Sequence, residues 1–157
     1  MFSRVTILFL WSALFLYAYA SGWEYVDCGS PSQPLRIDSI ELSPDPPVPG
    51  QDLSVTVKAN VTETIEEGAA AGVVVKLGLI KLVQKTFDVC EEARNANAPF
   101  TCPVQPGPYT VVHTVALPRE IPKAKFLIQV RGLGDSLCLD LRINFMKSAA
   151  SIFTSPF

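Results

Sequence analysis

The sequence predicts an all-β fold, a β-sandwich, on three observations. Short runs rich in β-branched and aromatic residues recur along the chain at fairly regular spacing. Proline and glycine, present 13 and 9 times, fall between those runs and punctuate them. No segment carries the apolar spacing of a long amphipathic helix, so helices cannot form a second layer.

The chain begins with Arg4, an apolar run from Val5 to Leu16 and the small-residue triplet Ala18-Tyr19-Ala20, a pattern that predicts a signal peptide over residues 1–20. The run is shorter than the ~20 apolar residues that span a bilayer. Residues 21–157 are then expected to form one domain. Ile37 to Leu42 and Leu53 to Ala59 alternate apolar and polar residues and predict strands with one buried face. Between them, Ser43-Pro44-Asp45-Pro46-Pro47-Val48-Pro49-Gly50 lacks backbone donors and predicts a loop or sheet edge. Thr62 to Gly72 mixes helix-favouring Glu66, Glu67 and alanines with Gly68 and Gly72, and reads as a turn leading into a strand. Val73 to Val83 predicts one long strand or two strands joined by a kink at Gly78, with Ile80 and Leu82 sharing a face opposite Lys81. Tyr109 to Val115, Lys125 to Arg131 and Leu137 to Phe145 complete the set, with Phe126, Ile128 and Val130 on one face.

Composition narrows function. With 13 basic and 15 acidic residues the net charge is −2, and no basic cluster marks a nucleic-acid partner. Cys28, Cys90, Cys102 and Cys138 would enter an oxidising lumen, where two disulfides are expected. Of the three possible pairings we take Cys90 with Cys102 as a local clasp and Cys28 with Cys138 as the tie between the two ends of the domain. Zinc is disfavoured, because there is no C-x-x-C pair and His113 is the one histidine.

Catalytic candidates are weak. Gly134-Asp135-Ser136-Leu137 matches the motif letters of a serine esterase family, but no histidine follows it, and a serine without a base is a poor nucleophile. Gly-Asp-Ser is ordinary turn chemistry. His113, in a strand with Tyr109, Val111 and Val115 at the same parity, reads as structural. Glu66 and Glu67 read as a solvated loop without a partner to separate their acidities. The sequon Asn60-Val61-Thr62 makes Asn60 a candidate glycosylation site.

Several blocks carry a family resemblance: Asp27-Cys28-Gly29-Ser30, Leu42 to Gly50, Lys76-Leu77-Gly78-Leu79-Ile80, Asp88-Val89-Cys90-Glu91, Cys102-Pro103-Val104 and Leu117 to Pro122. Their order and spacing resemble the ML lipid-recognition family, most closely its fungal phosphatidylglycerol/phosphatidylinositol transfer proteins, from about Trp23 to Phe145. The resemblance extends to the Niemann-Pick type C sterol carrier, whose cysteine pair in the loop matching Ser43 to Gly50 is replaced here by prolines. It implies an immunoglobulin-like sandwich of two antiparallel sheets, opened along one side, with a hydrophobic lipid cavity between them. By matched position the cavity wall would include Leu42, Ile80, Leu82, Ile121 and Val130, with Pro118 near the mouth; the strand pattern adds Phe126 and Ile128.

The implied activity is non-enzymatic binding and intermembrane transfer of phospholipid or sterol, without cofactor or metal, by a monomer that touches membranes transiently. Its implied setting is the secretory pathway, either secreted or in a vacuolar or lysosomal lumen. The rival reading is an extracellular immunoglobulin-like recognition module. An antibody-like core wants a tryptophan between its bridged cysteines, whereas Trp23 precedes all four. Lys76, Lys81, Arg119 and Lys123 are candidates to meet an anionic headgroup, and the sequence singles out none of them.

Overall fold

Two antiparallel sheets face each other in a computed structural model that describes residues 22–132, 134 and 136–147. The signal peptide expected over residues 1–20 lies outside the described residues. The strands are β1 (Trp23–Asp27), β2 (Leu35–Ser43), β3 (Asp52–Val61), β4 (Ala70–Leu77), β5 (Ile80–Asp88), β6 (Gly107–Ala116), β7 (Lys125–Gly132) and β8 (Cys138–Asn144). One sheet has the order β1-β8-β7-β4-β5, the other β2-β3-β6. The helical elements include the helix α1 (Val89–Asn95) and a 3-10 turn at Phe145–Lys147.

The core lies where inward residues of the two sheets meet. Ile40, Leu42 and Leu53 of one sheet pack with Phe126, Leu139 and Ile143 of the other, and Phe145 closes the group. Phe126 and Phe145 meet edge to face, 5.6 Å between centroids, a favoured aromatic geometry. The opposite side of β7 and β8 is polar: Arg131 pairs with Asp140 at 2.6 Å, and Gln129 donates to the same carboxylate. That alternation is what a sheet with one solvated face requires.

Three elements differ from the sequence-based expectation. The run from Val73 to Val83 divides at Gly78 into two strands, one of the two expected arrangements, but the join is a full reversal and not a kink, since Ile80 returns opposite Leu77. Gly78 adopts φ +58°, the left-handed region that side chains resist. Trp23–Asp27 is an additional strand, with Trp23 and Tyr25 on the core side. The helix α1 is capped by Asp88, whose carboxylate accepts from the Glu91 amide at 2.9 Å.

Other expectations hold. Thr62 to Gly72 turns and enters β4 at Ala70, with Ile65 bridging Val104 on the way. The proline-rich segment is a loop with a packed interior: Pro47 is fully buried and the Gly50 amide donates to the Leu117 carbonyl at 3.0 Å. Gly132 to Leu137 is a hairpin connection, closed by the Gly132 amide on the Leu137 carbonyl at 2.8 Å. The disulfides are Cys28–Cys138 and Cys90–Cys102, with Cα separations of 5.0 and 5.8 Å.

Candidate functional site

Strand register shows which side chains face the space between the sheets, since residues directly opposite in a pair project to the same face. Val75 and Leu77 of β4 pack against the core. Their partners on β5 are Val83 and Ile80, and the next inward pairs are Val73 with Lys85 and Ala71 with Phe87. In the other sheet, Leu53, Val55 and Val57 of β3 face the core, and their partners on β6 are Val115, His113 and Val111, followed by Ala59 with Tyr109. Strands β5 and β6 are each an edge of their sheet.

Burial falls away toward those edges. The seven buried residues of this core cluster come from β2, β3, β7, β8 and the turn after β8, while β4 is half-buried along its whole length. On the edges, inward-facing apolar residues stand in solvent: Ile80 is 65% exposed, Val83 50% and Val115 41%. A sandwich with its inner apolar faces wet on one side has room for something apolar between the sheets. Such exposure costs roughly 25 cal/mol per Å² relative to covering it.

At the end of the sandwich near Cys28–Cys138, a cavity of about 180 Å³ lies between the sheets, lined by Leu35, Ile65, Ala71, Val89 and Leu137 among others. Small-molecule pockets usually measure about 300–1,000 Å³. An acyl chain therefore needs this cavity together with the open side. A larger depression of about 420 Å³, around Trp23, Phe126, Arg142 and Gly78, takes no residue from β2, β3 or β6. It belongs to one sheet and lies outside the space between them.

The expected wall residues divide by this geometry. Leu42 and Phe126 are in the buried core, and Ile121, Ile128 and Val130 pack against it half-buried. Ile80 faces inward at the exposed edge opposite Leu77. Leu82, 49% exposed, does not share its alternation as the sequence suggested, because a bulge leaves it without a partner between Val75–Val83 and Lys76–Lys81. Val83 takes the inward place instead. Pro118 is exposed, just after β6. Val75, Val83, Lys85 and Val111 are among the inward residues outside the expected wall set.

The catalytic and metal candidates do not converge. Ser136 lines the cavity beside Leu35, in the row of Val61 and Gly107. His113 is six residues from Gly107, about 20 Å along an extended strand. Asp135 lies outside the described residues. Cys90 and Cys102 approach Glu67, but their sulfurs are bonded to each other and are not thiolate ligands. Glu67 pairs with Arg94 at 3.3 Å on the exposed surface, the solvated role expected of it. Asn60 is half-buried on the outward side of β3, opposite in parity to the buried Ala59 and Val61.

The molecule is thus an immunoglobulin-like sandwich with inward-facing apolar residues exposed on the edge strands β5 and β6. The ML domain pattern matches residues 22–145, and the chain belongs to that family. It is 61% identical over 131 residues to the phosphatidylglycerol/phosphatidylinositol transfer protein of Cryptococcus neoformans var. neoformans serotype D, covering 81% of this chain and 73% of that protein. The protein of the same name from Mycosarcoma maydis is 48% identical over 128 residues, 79% of this chain and 66% of that one. Among solved structures, a Niemann-Pick type C2 protein from Japanese carpenter ant superposes with a TM-score of 0.58 at 16% identity, covering 77% of this chain and 98% of that one. Chicken MD-1, solved in complex with lipid IVa, gives 0.56 at 15% identity, covering 80% and 91%. At such identities these two likenesses speak for the fold.

Proposed function

We propose that the protein binds a lipid between its sheets and carries it from one membrane to another, without covalent chemistry. The observation that carries this reading is the wet apolar inner face at Ile80, Val83 and Val115, in a fold otherwise closed around a dry core. The names of the fungal relatives support phosphatidylglycerol and phosphatidylinositol as cargo, with sterol as the alternative. Leu42, Ile121, Phe126, Ile128 and Val130 form the inner wall, Ile80 the edge, and Leu82 and Pro118 the rim.

The driving force is burial of acyl methylenes. At about 0.8 kcal/mol each, ten methylenes supply roughly 8 kcal/mol, so the twenty or more methylenes of two acyl chains supply roughly 16 kcal/mol, which ordering costs of about 8 kcal/mol reduce to micromolar binding. Affinity of that order lets a carrier release what it holds. The disulfides, and the lack of a helix long and apolar enough to cross a membrane among the described residues, fit a lumenal or secreted setting. In this reading residues 1–20 are the signal peptide, Asn60 carries a glycan, and the domain works as a monomer that meets membranes transiently in a vacuolar lumen or outside the cell.

Transfer of fluorescent phosphatidylglycerol and phosphatidylinositol from donor to acceptor vesicles tests the reading. The rate should rise in proportion to protein concentration. A rate unchanged by protein for both phospholipids and for a sterol probe would remove it.

A further inference from the structure

The inner face of β4 and β7 narrows from one end to the other. Its cross-strand pairs run Leu77–Phe126, Val75–Ile128, Val73–Val130 and Ala71–Gly132, so the side chains shrink toward the Cys28–Cys138 end. Strand β3 repeats the trend from Leu53 through Val55 and Val57 to Ala59, and Val61 ends the row. The cavity of about 180 Å³ lies at this end, with Ala71, Gly132 and Leu35 in its wall and no charged residue among the described residues that line it. The edges differ as well. Half-buried Phe87 lies opposite Ala71 and half-buried Tyr109 opposite Ala59, where the other end has exposed Ile80 and Val115. Tyr109 is fixed there, its hydroxyl donating to the Gln105 carbonyl at 2.8 Å and its ring edge-on to Phe100.

We propose that this narrow end measures acyl-chain length: the methyl end of a tail that enters past Ile80 and Val115 seats in the cavity, and Ala71 sets how long a tail fits. The assignment rests on the lipid-binding reading above and adds a selection among tails, whatever headgroup they carry. From Leu77 to Ala71 the inner face is six residues long, about 20 Å of extended strand. An apolar cavity of about 150 Å³ accommodates a benzene ring, so this one takes roughly the last six or seven carbons of a chain. A shorter tail leaves it unfilled and forgoes those contacts. A longer one has to displace the wall, which a packed interior resists. Gly132 is not free to set the depth, since a Cβ there would collide with the Ser136 side chain and lie 2.9 Å from the Leu137 amide nitrogen. Ala71, its partner across the strand pair, is the position where side-chain length changes the depth.

The test offers the intact protein an equimolar mixture of lauroyl, myristoyl, palmitoyl and stearoyl lysophosphatidylglycerol and reads the bound ratios by native mass spectrometry. Each methylene moved out of water is worth about fourfold in affinity. Ala71→Leu adds three carbons to the wall, so the stearoyl-to-myristoyl ratio should fall roughly tenfold. Ala71→Val, a smaller insertion that strains the fold less, should give an intermediate fall. Leu35→Ala removes three carbons from the facing sheet and should raise the same ratio. Val74→Leu, on the outer face of β4 opposite Gln129, should leave it within about twofold of wild type. A wild-type ratio in both Ala71 variants, or a loss equal for every chain length, overturns the assignment and leaves the lipid slot standing. Wild-type protein that takes up none of the four lipids contradicts the slot itself.

Discussion

Phe126 is the residue at which core and slot meet, 9% exposed, in edge contact with Phe145 and opposite Leu77 on the next strand. Replacing it with alanine should cost about 3–5 kcal/mol of unfolding free energy in a urea titration, the range for deleting a buried aromatic ring. A change under 1 kcal/mol would mean that the core does not close around this ring. At this scale the sequence was readable where alternation is unbroken: Phe126, Ile128 and Val130 are all on the inner face. It was unreadable past the bulge at Leu82, since one extra residue exchanges inward and outward positions and hides Val83 and Lys85 behind the wrong parity.

Strand β6 offers a paired test at the scale of the element, because adjacent residues on it face opposite ways. Val111 points between the sheets and Val112, 55% exposed, points out. Val111→Trp should fill the open side and reduce lipid loading several-fold, whereas Val112→Trp should leave loading unchanged, both read by extraction and lipid mass spectrometry. Equal effects of the two would refute the register. The helix α1 allows a stability test: Asp88→Ala removes the cap on the Glu91 amide and should cost about 1 kcal/mol. Asp88 and Glu91 stand in an N-terminal capping pattern, so this short helix was legible, and Trp23-Glu24-Tyr25 alternates like a strand. Each is too short to rise above the irregular segments around it. The β4–β5 hairpin was obscured for a different reason: a mostly apolar run gives no sign of reversal except Gly78.

Across the whole molecule, the Cys28–Cys138 disulfide spans 110 residues and ties the end of β1 to β8, at the other end of their sheet from β5. Loop closure on that scale restrains the unfolded chain by about 4.7 kcal/mol, so Cys28→Ala with Cys138→Ala should lower stability by several kcal/mol without altering the open edge. Stability concentrated on one side leaves the other side able to part for a ligand without unfolding. Cysteine positions and proline punctuation made the closed half legible from sequence, whereas the open half depends on which edges the sheets leave uncovered, and that is a property of strand order. The most direct measurement is native mass spectrometry of the protein purified from a eukaryotic host. One phospholipid or sterol per chain is the expected result; a lipid-free spectrum from protein that also takes up neither phospholipid nor sterol probes would contradict the account.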